Sequence, residues 1–92
     1  MDAAQYEDLA GRLYGLAIKL SDRLPADQAQ WLHHVTEAGE YGLALEDMAG
    51  LLARGQIAIT SQERRDMLAL AGRMKAEGDA VRQALESCPR AG

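Results

Sequence analysis

Ninety-two residues, 48% apolar and 26% charged, make one globular domain and leave too little chain for a second core. The single cysteine excludes an intramolecular disulfide, and a net charge of −4 lacks the electrostatic footprint of a nucleic-acid binder. No apolar run approaches the roughly 20 residues that cross a bilayer. The start, Met-Asp-Ala-Ala-Gln-Tyr-Glu, has neither the basic nor the apolar region of a signal peptide, so a cytoplasmic protein is expected.

Tyr6, Leu9, Leu13, Leu16 and Leu20 recur at spacings of three and four, which is one face of a helix. The spacing predicts a first helix over about 3–23. Leu24 extends the stripe and Pro25 stops it, since proline disfavours helix at the residue before it. A second helix follows from Ala26 or Asp27 to Ala38, with Trp31, Leu32 and Val35 as its buried side. Gly39 is placed to end that helix in a left-handed conformation. A third helix is expected from Glu40 to about Arg54, with Leu45, Met48 and Leu52 on one face and Tyr41 beneath them.

The run Gln56-Ile57-Ala58-Ile59 alternates like a strand. Four residues without a partner strand read better as an apolar loop against the core. Thr60-Ser61-Gln62-Glu63 matches a capping box, in which Thr60 accepts from the Glu63 amide and the Glu63 side chain reaches back. It opens a fourth helix, with Met67, Leu70, Ala71 and Met74 inward, ending near Gly78. A short fifth helix over about 79–87 offers Val81, Ala84 and Leu85 to the core before Cys88-Pro89. The expected fold is all-α, a compact antiparallel bundle of four to five short helices forming a single domain over 1–92. Phe is absent, so the core is Leu, Ala, Met, Ile and Val, with a stability on the order of 5 kcal/mol.

Charge is placed unevenly along this bundle. Residues 1–23 hold four acids against three bases, residues 24–53 five acids and no Lys or Arg, and residues 54–92 five acids against seven bases. The middle stretch therefore carries −5 (Asp27, Glu37, Glu40, Glu46, Asp47) while its flanks carry −1 and +2. Carboxylates favour the positive end of a helix, which accounts for Glu40 and Asp27. Glu37, near a helix C-terminus, is not explained that way. In contrast, Arg64, Arg65, Arg73, Lys75 and Arg82 alternate with Glu63, Asp66, Glu77, Asp79 and Glu86, the pattern of a solvated mixed-charge face.

Reactive constellations are not evident. His33 and His34 are neighbours on a helix and diverge by about 100°. His33 and Glu37 are spaced i, i+4 and supply two ligands where zinc needs more, so no metal is expected. Cys88 has no base beside it, and Ser21, Ser61 and Ser87 lack a nucleophile elbow. Adjacent carboxylates such as Glu46-Asp47 point apart, and no glycine-rich phosphate loop follows a strand. The sequence points away from an enzyme and implies no cofactor. A concentrated negative face with an aromatic beside it suits capture of a basic protein instead.

The segment Glu37-Ala-Gly-Glu-Tyr-Gly-Leu-Ala-Leu-Glu-Asp-Met48, preceded by His33-His-Val35 and followed by Ile59-Thr-Ser-Gln-Glu-Arg64 and Met67-Leu-Ala-Leu-Ala-Gly-Arg-Met74, resembles the MafI-type immunity proteins. The resemblance covers about residues 28–78. It implies a small bacterial cytosolic protein that neutralises a polymorphic toxin delivered between neighbouring cells. Within the motif, Gly39, Gly42, Leu43, Ala44, Leu45 and Met48 read as a tight helix–helix corner common to relatives. Exposed positions beside that corner are then free to choose the toxin. These are Glu37, Glu40, Tyr41, Glu46 and Asp47, with Asp27 and His34 (or its neighbour His33) at the margin and Trp31 if it is exposed.

The expected mechanism is stoichiometric occlusion of the basic active-site cleft of a toxin, a nuclease above all, because substrate phosphates demand Lys and Arg there. A helical adaptor for another basic protein gives the same surface. Gene neighbourhood separates the two. A DNA-associated protein reading through the helix from Ser61 to Glu77 is disfavoured by that helix's mixed charge.

Overall fold

A computed structural model of the chain describes residues 3–74 and 78–91. It is all-α: α1 (Ala3–Ser21), α2 (Ala26–Glu37), α3 (Tyr41–Arg54), α4 (Ser61–Met74) and α5 (Gly78–Glu86) follow in order. The apolar stripes meet as their spacing requires. Leu9, Leu13, Leu16, Ala17 and Leu20 of α1, Leu32 and Val35 of α2, Met67 and Leu70 of α4, and Val81 and Leu85 of α5 form one core.

Helix α3 lies at the centre and packs on the other four. Ala44, Leu45, Met48, Ala49 and Leu52 are wholly enclosed. The two alanines let neighbouring helices approach closely while the larger side chains fill the space between. Leu43 departs from the expected corner: it is 43% exposed, because it lies about 100° from Ala44 around the helix, on the outer side. Tyr6 likewise leaves the buried stripe at its N-terminal end, with 46% exposure.

The α2–α3 corner forms as its glycine predicts. Gly39 has φ +80°, and its amide bonds to the Thr36 carbonyl while the Glu40 amide bonds to that of Val35. This closes the end of α2 and makes Glu40 the residue preceding α3 rather than its first turn. A Cβ on Gly39 would meet only the Tyr6 hydroxyl, at 3.6 Å, so the cost of a side chain there is conformational. Gly39→Ala is expected to lower unfolding free energy by about 1–2 kcal/mol, the penalty of a left-handed L-residue. Urea denaturation with unchanged helical circular dichroism checks it.

Elsewhere the boundaries shift modestly. Helix α1 ends at Ser21, where the Ser21 hydroxyl donates back to the Ile18 carbonyl at 2.8 Å. Gly78 opens α5 rather than closing α4. Residues 75–77, and with them Lys75 and Glu77 of the expected mixed-charge face, lie outside the described ones. The 56–59 run is a loop, as expected, but it does find a partner. Ile59 forms a parallel bridge with Arg90, its amide donating to the Pro89 carbonyl and its own carbonyl accepting from the Ala91 amide. The C-terminal segment is thereby tied to the start of α4.

The capping box at α4 is formed in both directions. The Glu63 amide donates to Thr60 Oγ1 at 3.0 Å, and Glu63 Oε1 accepts from the Thr60 amide at 2.8 Å. Glu63 does not, however, belong to a solvated face: it is completely buried. Both carboxylate oxygens are gripped by the Arg23 fork at 2.7 and 2.8 Å, and Lys19 Nζ stands 3.3 Å away. Arg23 comes from the turn after α1, forty positions earlier, which is why local spacing gives no hint of the burial. With these partners the ion is compensated, as a buried charge must be. At the other end of the same helix, Arg73 bonds Asp8 at 2.8 Å and the Gln5 carbonyl at 3.0 Å. Helices α1 and α4 thus run antiparallel with charged ties at both ends.

Candidate functional site

The α2–α3 hairpin presents the acidic stretch. Trp31 and Asp47 each lie eight residues from Gly39, so the hairpin brings them level. The Trp31 indole N–H donates to Asp47 Oδ2 at 3.0 Å. Contrary to the buried side expected of α2, Trp31 is 51% exposed. The inward arc of α2 is centred on Leu32, Val35 and Thr36, leaving Trp31 on its shoulder. Thr36 is accommodated inside because its hydroxyl donates to the Leu32 carbonyl at 2.7 Å.

Around the indole the other positions fall into place by helical spacing. Asp27 precedes Trp31 by one turn and is exposed. His34 follows by three residues, its ring 6.0 Å from the indole centre. Leu43 precedes Asp47 by one turn on α3 and is exposed beside it, with Glu46 also exposed. The result is an indole and an isobutyl group set among carboxylates. The indole is held in one orientation by Asp47 rather than left free to rotate.

Glu37 and Glu40 flank the Gly39 corner, and both are exposed. Glu37 contacts His33 Nε2 at 2.9 Å, a link that is ionic only when the imidazole is protonated. Among the described residues, none of Asp27, Glu37, Glu40, Glu46 and Asp47 pairs with a Lys or Arg. Outside the hairpin, Asp8, Glu63 and Asp79 pair with Lys or Arg, while Glu7, Asp22, Asp66 and Glu86 likewise lack such a partner among the described residues. The hairpin is set apart because residues 24–53 contain no Lys or Arg at all. The negative charge of the hairpin is left unneutralised on the surface.

Tyr41 belongs elsewhere. It is half-buried and turns toward α1, its ring 5.1 Å from that of Tyr6 at 55°, an ordinary tilted aromatic pair. Burial, with Tyr6 and Tyr14 nearby, raises the Tyr41 phenol above its usual range. Tyr41 therefore anchors the corner on α1, and Trp31 is the aromatic of the acidic face. A sequence signal for this existed. Asp27, Trp31 and His34 share one stripe of α2, and a stripe with two polar members out of three faces water more readily than core.

Chemically the face offers hydrogen-bond acceptors, negative charge and one pinned aromatic. Among the described residues no group of three His, Cys, Asp or Glu side chains is placed to hold a metal ion. Cys88 is buried, and burial raises its thiol above the ordinary range despite the opposing influence of Arg64. Among the described residues no helix is long and apolar enough to cross a membrane. Comparisons with protein-family models, with curated proteins and with solved structures return no match for the chain.

Proposed function

We propose that this protein is an immunity-type inhibitor: it binds a basic bacterial toxin, a nuclease above all, in the cytoplasm and occludes the toxin's cleft stoichiometrically. The reading assigns it no reaction and no cofactor. The observation that carries it is the α2–α3 hairpin, where none of the five carboxylates pairs with a Lys or Arg among the described residues and one of them, Asp47, holds a half-exposed tryptophan. A solvated face alone does not call for an oriented indole.

Desolvated aromatic anchors within a polar rim carry most of the affinity of typical interfaces, while the surrounding charge sets encounter rate and register. The carboxylates would occupy the positions that substrate phosphates take in the toxin, without offering a bond to cleave. The MafI-type motif fits the same picture, because its glycine and its small and apolar residues build the corner while the carboxylates beside it stay free.

The test uses the toxin domain that this reading expects to be encoded beside this chain's gene. The two are expected to elute as a 1:1 complex and the toxin to lose activity. Trp31→Ala should weaken the complex by about 2 kcal/mol, roughly thirtyfold in Kd, with unchanged helical content. Equal affinity of the variant would remove Trp31 as the anchor, and absence of any complex would remove the reading itself.

A further inference from the structure

At the far end of α3 from the acidic corner the chain reverses its electrostatics. Helix α3 is fourteen residues, about 20 Å long, so the two regions are well separated. Where α4 begins and the C-terminal segment crosses it, a depression of about 260 Å³ is lined by Arg64, Arg65 and Arg90, with Thr60, Ser61 and Cys88 among its walls. Among the described residues no carboxylate lines it. Of the two acids that flank Arg64 and Arg65 on α4, Glu63 is turned inward and held by Arg23, and Asp66 accepts from Gln62 outside the lining. In a chain with ten Lys and Arg and a net charge of −4, three guanidinium groups sharing one concavity without a counter-ion need a cause.

Structural duties account for only part of them. Arg64 donates through Nη1 to the Leu85 carbonyl at 2.7 Å, which closes the end of α5 and fixes that guanidinium at the edge of the depression. Arg65 donates through Nη2 to Gln62 at 2.9 Å. Each retains further N–H groups, since a guanidinium carries five donors. Arg90 is exposed, and its side chain has no hydrogen-bonding or ionic partner among the described residues. The Ile59–Arg90 bridge nevertheless fixes its backbone beside α4. The Thr60 hydroxyl accepts from the Glu63 amide and keeps its own proton to donate.

We propose that this depression binds the phosphate group of a small phosphorylated molecule. Guanidinium forks match the tetrahedral oxygens of phosphate, and charge-assisted bonds of this kind are the strongest a surface can offer. A monocarboxylate would leave the positive charge in excess. The unneutralised acidic hairpin on the same small domain repels a long polyanion, and the volume suits one phosphate with a small substituent rather than a nucleic-acid backbone. The site is independent of the toxin-binding face and stands or falls separately from it.

The experiment is an amide-resolved NMR titration of the full chain with inorganic phosphate, against sodium chloride and sodium acetate at matched ionic strength. Phosphate is expected to produce saturable shifts concentrated at Ser61, Gln62, Arg65 and Arg90. The double variant Arg65→Gln/Arg90→Gln should weaken them about tenfold or more. Both side chains are exposed, and Arg64, which has the structural contact, is left in place. Shifts equal to those with chloride or acetate, or affinity unchanged in the double variant, would overturn the proposal. A single-stranded oligonucleotide that shifts the same residues at lower concentration than phosphate would overturn the small-molecule assignment.

Discussion

Glu63→Gln is expected to destabilise the protein by about 3 kcal/mol, the lower end for removal of one partner from a buried ion pair. The lower end applies because the Arg23 side chain is 32% exposed and can recover some hydration. The introduced amide would keep an acceptor for the Thr60 N–H, so the capping box survives and the loss isolates the charge. In urea the midpoint should fall with little change in slope. Replacing both partners, Arg23→Met with Glu63→Gln, should recover part of the loss, since an apolar substitute removes the orphaned charge.

The same pair sets an acid limit. Arg23 above all, with the Thr60 amide and Lys19, holds the Glu63 carboxyl down to about 2 from 4.5, against the opposing effect of burial. A carboxyl whose folded-state value is depressed contributes stability that is fully present above its unfolded value. That contribution is lost as the unfolded chain takes up a proton that the folded one refuses. Stability should therefore decline as pH falls from about 4.5 toward 2, and Glu63→Gln should flatten that part of the profile. Equal acid sensitivity in the two proteins would place the acid transition on other carboxylates.

The second large effect concerns partner binding. Joint Glu37→Lys and Glu40→Lys substitution is expected to abolish protection against the toxin while leaving helicity intact. Both side chains are exposed, and neither makes a bond on which the corner depends. Reversal changes the local charge by about four, which converts attraction for a basic cleft into repulsion. The left-handed Gly39 and the Tyr6–Tyr41 pair hold the corner without them. Protection equal to that of the unaltered chain would exclude this end of the hairpin from the interface.

Local chemistry was the legible part of the fold. The Thr60–Glu63 box, the left-handed Gly39 and the leucine stripe of α1 each depend on residues within a turn or two, and spacing alone locates them. Contacts between distant segments were not legible. Burial of Glu63 depends on Arg23, and the Ile59–Arg90 bridge joins a loop to the C-terminal segment. Neither leaves a mark in the surrounding sequence. The candidate site was legible as a count of charges and not as an arrangement. The deficit of Lys and Arg over residues 24–53 is visible in the chain. That Trp31 faces outward, while Tyr41 turns toward α1, depends on a rotation of one helical position in α2 and on the partner that α1 supplies.

An unneutralised acidic face that steers this protein onto a basic toxin makes their association sensitive to salt. Stopped-flow association with the cognate toxin domain across ionic strength tests it most directly. The on-rate is expected to fall at least about tenfold between low and high salt, because long-range attraction is screened within about 10 Å at 0.1 M. The Glu37→Lys/Glu40→Lys protein should be slow at every salt concentration. A tight complex whose on-rate is the same at low and high salt would rule out steering by this face.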